Sequence, residues 1–206
     1  MPGQPLTTDA FVLLKRPPAD TFQTLTIFSP SHGTLTALQR LSKKPGAVTS
    51  AVALDLFDEV SLYLETANQG HTWFIKEPRL LTRHAALGRD YETLRHASSL
   101  ATFISRNPAP EESRERIYAL LRDAFAAFAT SARPDIVYFK SLYRLARDEG
   151  HPMKQHWFPA LPAGDRALVA SLLNQPVSTQ TLDLETVSRL QKRLENYLRE
   201  HTEILP

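Results

Sequence analysis

Three basic side chains cluster at the end of a threonine-rich segment, where they are suited to contact an anion. The segment GTLTALQRLSKKPG spans residues 33–46 and carries Arg40, Lys43 and Lys44 ahead of a Pro-Gly turn. Its first half alternates as a β-strand does. Lysine and proline also protect the edge of a sheet from pairing with another strand. The segment therefore predicts a phosphate contact, edge protection, or both.

Carboxylates and histidines form the other groupings with chemical potential. Asp55, Asp58 and Glu59 could hold Mg²⁺ in a nuclease, although an acidic hairpin on a solvated face is the simpler interpretation. His151 and His156 lie on either side of a proline, and their spacing is not that of a helical pair of metal ligands. We interpret that segment as a surface loop and expect no metal. The chain contains no P-loop, dinucleotide-binding, nucleophile-elbow or zinc-protease motif, so we expect no enzyme.

The composition excludes several classes of site and partner. The 206 residues include no cysteine, which excludes disulfides, thiolate zinc sites and cysteine nucleophiles. The mean hydropathy is -0.28, no apolar run is long enough to span a bilayer, and the first residues lack a signal-peptide pattern. We therefore expect a cytoplasmic protein with no membrane partner. The net charge of +2 identifies no partner, but residues 1–50 carry five basic side chains against two acidic ones.

The hydrophobic periodicity of the chain changes near residue 80. Before it, short segments rich in β-branched and aromatic residues alternate with turn signals, which is typical of consecutive strands. The predicted strands are residues 10–15, 21–28, the first half of 33–46, 52–57, 60–65 and 71–76. Closure removes exposed edges, so about five such strands indicate a small closed barrel. An SH3-like barrel would show the same pattern.

After residue 80 the apolar residues recur with the period of an α-helix. The predicted helices cover residues 91–104, 110–128, 134–149, 165–173 and 183–198, with an irregular linker at 151–162. Asp183 is a plausible N-cap for the last helix. The fold class is therefore α+β, with a barrel in residues 1–80 and an all-α domain in residues 81–206.

The order of several short segments resembles the recombination mediator RecO family. The matching segments are residues 10–17 (AFVLLKRP), 25–33 (LTIFSPSHG), 35–44 (LTALQRLSKK), 77–81 (EPRLL) and the helix at 87–103. Many members of that family carry a four-cysteine zinc element after the third helix. Here residues 148–164 bridge that place without cysteine, as a trimmed linker, and Trp157 and Phe158 are expected to cap the helical core.

The resemblance implies an N-terminal five-stranded OB-fold barrel that binds DNA, followed by a helical domain that organises partners. It implies annealing of complementary strands and help in loading RecA onto DNA coated by single-strand binding protein (SSB), together with RecR and at the nucleoid. Single- and double-stranded DNA are the expected ligands, and no cofactor is implied. The candidate DNA-binding residues are Arg16, Arg40, Lys43, Lys44, Arg79 and Arg83.

The last helix offers a candidate site for the acidic tail of SSB, since such a tail needs an apolar slot rimmed by cations. The candidate residues are Arg189, Leu190, Arg193 and Tyr197. The alternative is that the apolar face packs on the preceding helices and the cations are solvated.

Two other functions stay open. The chain could be an interaction adaptor whose barrel binds protein and whose basic turn only solubilises it, or a nuclease that uses the carboxylates of residues 55–59.

Overall fold

The computed structural model describes residues 5–19, 21–41, 52–66 and 72–202. Within these residues, five strands precede six α-helices, so the α+β class is confirmed. The strands are β1 (Pro5–Lys15), β2 (Phe22–Ser29), β3 (Gly33–Arg40), β4 (Glu59–Thr66) and β5 (Trp73–Thr82). The helices are α1 (Tyr91–Arg106), α2 (Arg114–Thr130), α3 (Pro134–Asp148), α4 (Phe158–Ala160), α5 (Ala163–Asn174) and α6 (Leu184–His201). Short 3-10 turns cover Ala85–Gly88, Glu111–Ser113 and Val177–Thr179, and a π-helical turn covers Met153–Trp157.

The five strands close into a barrel in the order β1-β2-β3-β5-β4. Four of the five ladders are antiparallel, whereas β3 and β5 pair in parallel over three residue pairs, from Ala37↔Trp73 to Gln39↔Ile75. This arrangement confirms the predicted five-stranded OB-fold barrel. The parallel seam is short, so few ladder hydrogen bonds close the barrel.

Alternate residues of every strand fill the barrel interior, as the period of a strand requires. The buried cluster contains Ala10, Val12, Leu25, Ile27, Ala37, Leu54, Val60, Leu62, Leu64 and Ile75. The alternation read from the sequence identifies the inward set, and it leaves the intervening side chains on the outer face.

The predicted strand at residues 52–57 is wrong. The segment is irregular, and Phe57 takes a positive φ of 66°. The Gln39 side chain donates to the Val52 carbonyl at 2.7 Å and accepts from the Leu54 amide at 3.4 Å. One buried amide therefore supplies bonds that a neighbouring strand would otherwise make. Leu54 and Phe57 are both buried, which offsets the backbone strain of about 1–3 kcal/mol for such a φ.

The chain divides into two compact units that do not follow the chain order completely. The barrel unit comprises residues 1–84 and 108–121, and the helical unit comprises residues 85–107 and 122–206. The boundary at residue 84 lies close to the change in periodicity near residue 80. The hydrophobic periodicity does not indicate that residues 108–121 belong to the barrel unit.

The start of α2 covers one end of the barrel's outer face. Tyr118 packs its ring on Phe11 at 4.8 Å and donates its hydroxyl to the buried Glu59 carboxylate at 3.0 Å. Arg114 donates to the Ser31 carbonyl at 2.9 Å. A Cβ on Gly33, whose φ is 69°, would come within 3.2 Å of the Arg114 Nε, so the turn between β2 and β3 requires glycine there.

The helical unit contains amphipathic helices, of which α1 and α6 begin at an aspartate N-cap. Asp183 caps α6 as predicted, since its carboxylate accepts from the Thr186 amide at 2.8 Å. Trp157 is buried against Phe139 and Tyr143, with ring centroids 6.4 and 5.9 Å away, which agrees with its expected capping role. The linker at 151–162 is more regular than predicted because it contains the π-helical turn and α4.

His96 is a buried, neutral histidine in α1. Its side chain is 4% exposed and faces the Tyr138 ring at 5.9 Å. Nδ1 lies 2.8 Å from the Glu92 carbonyl, and Nε2 lies 3.2 Å from a guanidinium nitrogen of Arg95. Nδ1 therefore carries the hydrogen and Nε2 accepts. Burial has the largest effect on the pKa of His96 and lowers it. The hydrogen bond to the Glu92 carbonyl raises it in part, the Arg95 charge lowers it, and the Glu92 and Asp135 carboxylates raise it less, so the net shift is downward.

Acidification should therefore destabilise the helical unit. The unfolded chain takes up a proton on His96 near its ordinary pKa of 6.5, while the folded chain does so only at lower pH. The free energy of unfolding should fall as the pH drops through about 6.5 and below. Urea unfolding of the full chain between pH 7.5 and pH 5 measures this. The variant His96→Gln should lose part of that pH dependence, and an identical dependence in both proteins would contradict the assignment.

Candidate nucleic-acid interface

The outer side of β2, β3 and β5 carries an aromatic pair beside an exposed arginine. β2 and β3 pair Phe22 with Arg40 and Thr24 with Leu38, and the parallel seam pairs Leu38 with Phe74 of β5. The rings of Phe22 and Phe74 meet at 5.6 Å. These five residues, which we call the aromatic–basic face, alternate with the inward residues of their strands. None of the five is buried.

Two exposed arginines flank the start of β2. Arg40 ends β3, and Arg16 follows β1, where its amide donates to the Thr24 carbonyl at 3.0 Å. Among the residues that the structure describes, neither guanidinium has a hydrogen bond or an ion pair. Strand spacing and register place their Cα atoms on the order of 12 Å apart. The structure thus brings two of the predicted DNA-binding residues to the same end of the barrel.

Arg79 lies elsewhere on the barrel. It is opposite Ser61 of β4, beyond the three residue pairs that join β5 to β3. Five residues of extended strand separate it from Phe74, which is about 16 Å. Arg79 is exposed but does not belong to the aromatic–basic face.

The sequence predicts Arg83 as a DNA-binding residue, but in the structure Arg83 has a structural role. Its guanidinium makes a two-pronged contact with Asp58 at 3.0 and 2.8 Å and also donates to the Ala53 carbonyl at 2.8 Å. The Asp58 side chain is 1% exposed. The hydrogen bonds and charge of Asp58 raise the pKa of Arg83. This cation neutralises a buried carboxylate, so it is not available to a phosphate.

The acidic residues of 55–59 do not form a solvated hairpin, which corrects the simpler interpretation of the sequence. Asp58 and Glu59 are buried, and their carboxylates accept hydrogen bonds from Arg83 and Tyr118 respectively. Asp55 is exposed and pairs with Lys15 at 3.2 Å. Within the described ranges, no group of three potential metal ligands lies together. Lys43 and Lys44 lie outside the described residues.

The predicted slot for an acidic tail does not form on α6. Leu190 is 0% exposed, so it belongs to the core, as the alternative interpretation stated. Arg189 and Arg193 are not simply solvated, however, because both contact the buried carboxylate of Asp165, at 2.5 and 3.0 Å. Tyr197 stacks on His201 with ring centroids 4.8 Å apart. The four residues therefore share no exposed apolar surface.

The candidate DNA-binding residues predicted from the sequence do not include Phe22 and Phe74. Phe22 alternates with the inward residues of β2, and Phe74 directly precedes the inward Ile75. Period-two alternation therefore places both rings outside the barrel. Their proximity depends on the parallel seam, which no local pattern indicates.

A scan of protein-family models and a search of curated proteins both found no match to the chain. Across the part of the chain that the structure covers, no helix has the length and apolarity needed to cross a bilayer.

Replacing Arg83 with Ala should lower the free energy of unfolding of the barrel. The change in the free energy of DNA binding should be smaller. The change leaves Asp58 buried without its cation, and the loss should be about 2–3 kcal/mol, below the range for a fully buried pair because the Arg83 side chain is 43% exposed. Thermal or urea unfolding measures it. Arg79→Ala is the matched control and should change stability by less than about 0.5 kcal/mol. Equal stabilities of the two variants would contradict the structural role of Arg83.

Proposed function

We propose that the barrel unit binds single-stranded DNA on the aromatic–basic face and that the chain acts as a recombination mediator of the RecO kind. In that role it anneals strands and assists the loading of RecA onto SSB-coated DNA. The observation that carries the proposal is the Phe22–Phe74 pair beside the exposed Arg40. Phe22 and Arg40 lie on β2 and β3, the strands whose face takes up oligonucleotides in OB folds. Arg16 extends the positive surface across β2.

The chemistry of this face fits an unpaired strand better than a duplex. Aromatic rings stack on bases that are splayed out, and each such contact contributes about 1–3 kcal/mol. The arginines contact phosphates and make binding depend strongly on salt. Double-stranded DNA hides the faces of its bases, so it would contact the cations alone and bind more weakly.

The two alternatives find less support in the geometry. A nuclease site at residues 55–59 would need Asp58 and Glu59 as free ligands, but Arg83 and Tyr118 engage them. An adaptor that binds protein through the barrel would account for an apolar patch, but it gives no role to the two exposed arginines beside it, which have no ion pair among the described residues.

The protein partners form the second part of the proposal. The acidic tail of SSB and a RecR-like protein are the partners that the RecO resemblance implies. Their surfaces are not the α6 residues first considered, because Leu190 is buried and Arg189 and Arg193 hold Asp165.

The direct test removes the charges at the end of β3. The triple variant Arg40→Ala, Lys43→Ala and Lys44→Ala should bind an oligothymidylate about 10- to 100-fold more weakly. Because each single-strand phosphate contact contributes about 0.7 to the slope of log affinity against log salt, that slope should fall by about 2. Fluorescence anisotropy at two or more salt concentrations measures both quantities.

Single variants separate stacking from charge. Phe74→Leu keeps most of the side-chain volume but loses the ring, so it should weaken binding about tenfold with little change in the salt slope. Arg79→Ala removes one exposed charge outside the face and serves as the control. Unchanged affinity in both the triple variant and Phe74→Leu would refute the proposed interface and would return the basic turn to edge protection.

A further inference from the structure

Three helices of the helical unit border an open groove with a volume of about 570 Å³. One wall is a stripe of α1, and α3 and α6 contribute the rest. The residues that matter for its chemistry are Tyr91, Arg95, Ser98, Thr102, Arg106 and Arg199. We call this site the α1 groove, and nothing in the sequence analysis assigned it a role.

The α1 wall carries a polar stripe beside Leu94 and Phe103. Its residues recur every three or four positions, so they lie on one face of the helix, and the stripe from Tyr91 to Arg106 is about 22 Å long. The side chains of Ser98, Thr102 and Arg106 have no hydrogen bond or ion pair with any residue in the described ranges. A row of free donors therefore faces the groove.

The charges of the groove favour an anion. Three arginines line it, and the nearby carboxylates either pair with them weakly or accept hydrogen bonds from other side chains. Arg95 pairs with Glu92 at 2.6 Å, but both side chains are about half exposed, so the pair contributes little and can exchange for another anion. The one lining carboxylate, Glu195, accepts from Gln191 at 2.8 Å and from Tyr138 at 3.4 Å.

The exposed surface distinguishes between the two anions that could occupy the groove. An acidic peptide with an apolar anchor needs open apolar surface at the floor, but Phe103 and Tyr138 are buried there. Leu94, which is 37% exposed, is the one exposed aliphatic side chain in the lining. The other accessible groups are hydroxyls, guanidinium groups and one prominent aromatic ring, because Tyr91 is 73% exposed. A ring to stack on and cations in a row are the features that bind single-stranded nucleic acid.

We propose that the α1 groove is a second binding surface for single-stranded nucleic acid. Tyr91 stacks on a base, while Arg95, Arg106 and Arg199 contact phosphates and the hydroxyls of Ser98 and Thr102 donate to phosphate oxygens. The groove lies wholly within the helical unit, so this proposal does not depend on the aromatic–basic face. If both hold, each unit of the chain offers a surface to a strand.

The test uses the full chain with the barrel surface disabled. The background variant carries Arg16→Ala, Arg40→Ala and Phe74→Leu. Adding Arg106→Ala and Arg199→Ala removes two groove charges from exposed positions that are not expected to affect folding, which circular dichroism melting checks. The matched control adds Arg166→Ala and Lys192→Ala, which remove two exposed charges elsewhere in the helical unit. The probe is a fluorescent oligothymidylate, measured by anisotropy across a range of salt concentrations.

In the disabled background, the groove pair should weaken residual binding at least about fivefold and lower the salt slope by about 1.4, whereas the control pair should change affinity less than about twofold. Equal effects of the two pairs, or no residual binding to the background variant, would overturn the groove proposal. The otherwise wild-type chain with Arg106→Ala and Arg199→Ala distinguishes the two proposals. If this variant no longer binds the oligothymidylate while the background variant binds it as wild type does, the groove proposal is supported and the barrel interface is refuted. A fluorescent acidic octapeptide is the last arm. Peptide binding that the groove pair abolishes, with DNA binding unchanged, would make the groove a peptide site and overturn the proposal.

Discussion

The parallel pairing of β3 with β5 is the constraint on which the candidate interface depends. Only three residue pairs make this seam, yet it closes the barrel and sets Phe74 beside Leu38. Antiparallel pairing then places Phe22 and Arg40 next to them. A strand order without this seam would separate the two rings and leave two edges unpaired, so closure and the aromatic–basic face arise from the same contact.

Several arginines are paired with buried carboxylates, which is why counting charges along the chain is a poor guide to function. Arg83 neutralises the buried Asp58, and Arg189 and Arg193 together neutralise the buried Asp165. A buried carboxylate that lost its cation would cost several kcal/mol, so these arginines are committed to the fold. The arginines left to meet a ligand are those without such a carboxylate.

Local periodicity predicts the strands and helices well. It predicts little of the candidate site, because that site depends on contacts between residues far apart in the chain. The alternation of Leu25 and Ile27 indicates both the strand and its inward face, and Asp183 indicates where α6 begins. The irregular path at 52–57 was not predictable from the same alternation, because the Gln39 side chain takes the place of a neighbouring strand. The tilted ring contact between Phe22 and Phe74 was not predictable either, because it requires residues 52 apart in the chain to meet across a parallel seam.

The central claim is that the outer face of β2, β3 and β5 binds single-stranded DNA. Amide chemical shifts of the ¹⁵N-labelled full chain, followed during titration with an oligothymidylate at low salt, test it most directly. The account predicts saturable shift changes at Thr24, Leu38, Arg40 and Phe74, with much smaller changes at Ser61 and Arg79. Binding that leaves those four amides unmoved would contradict it.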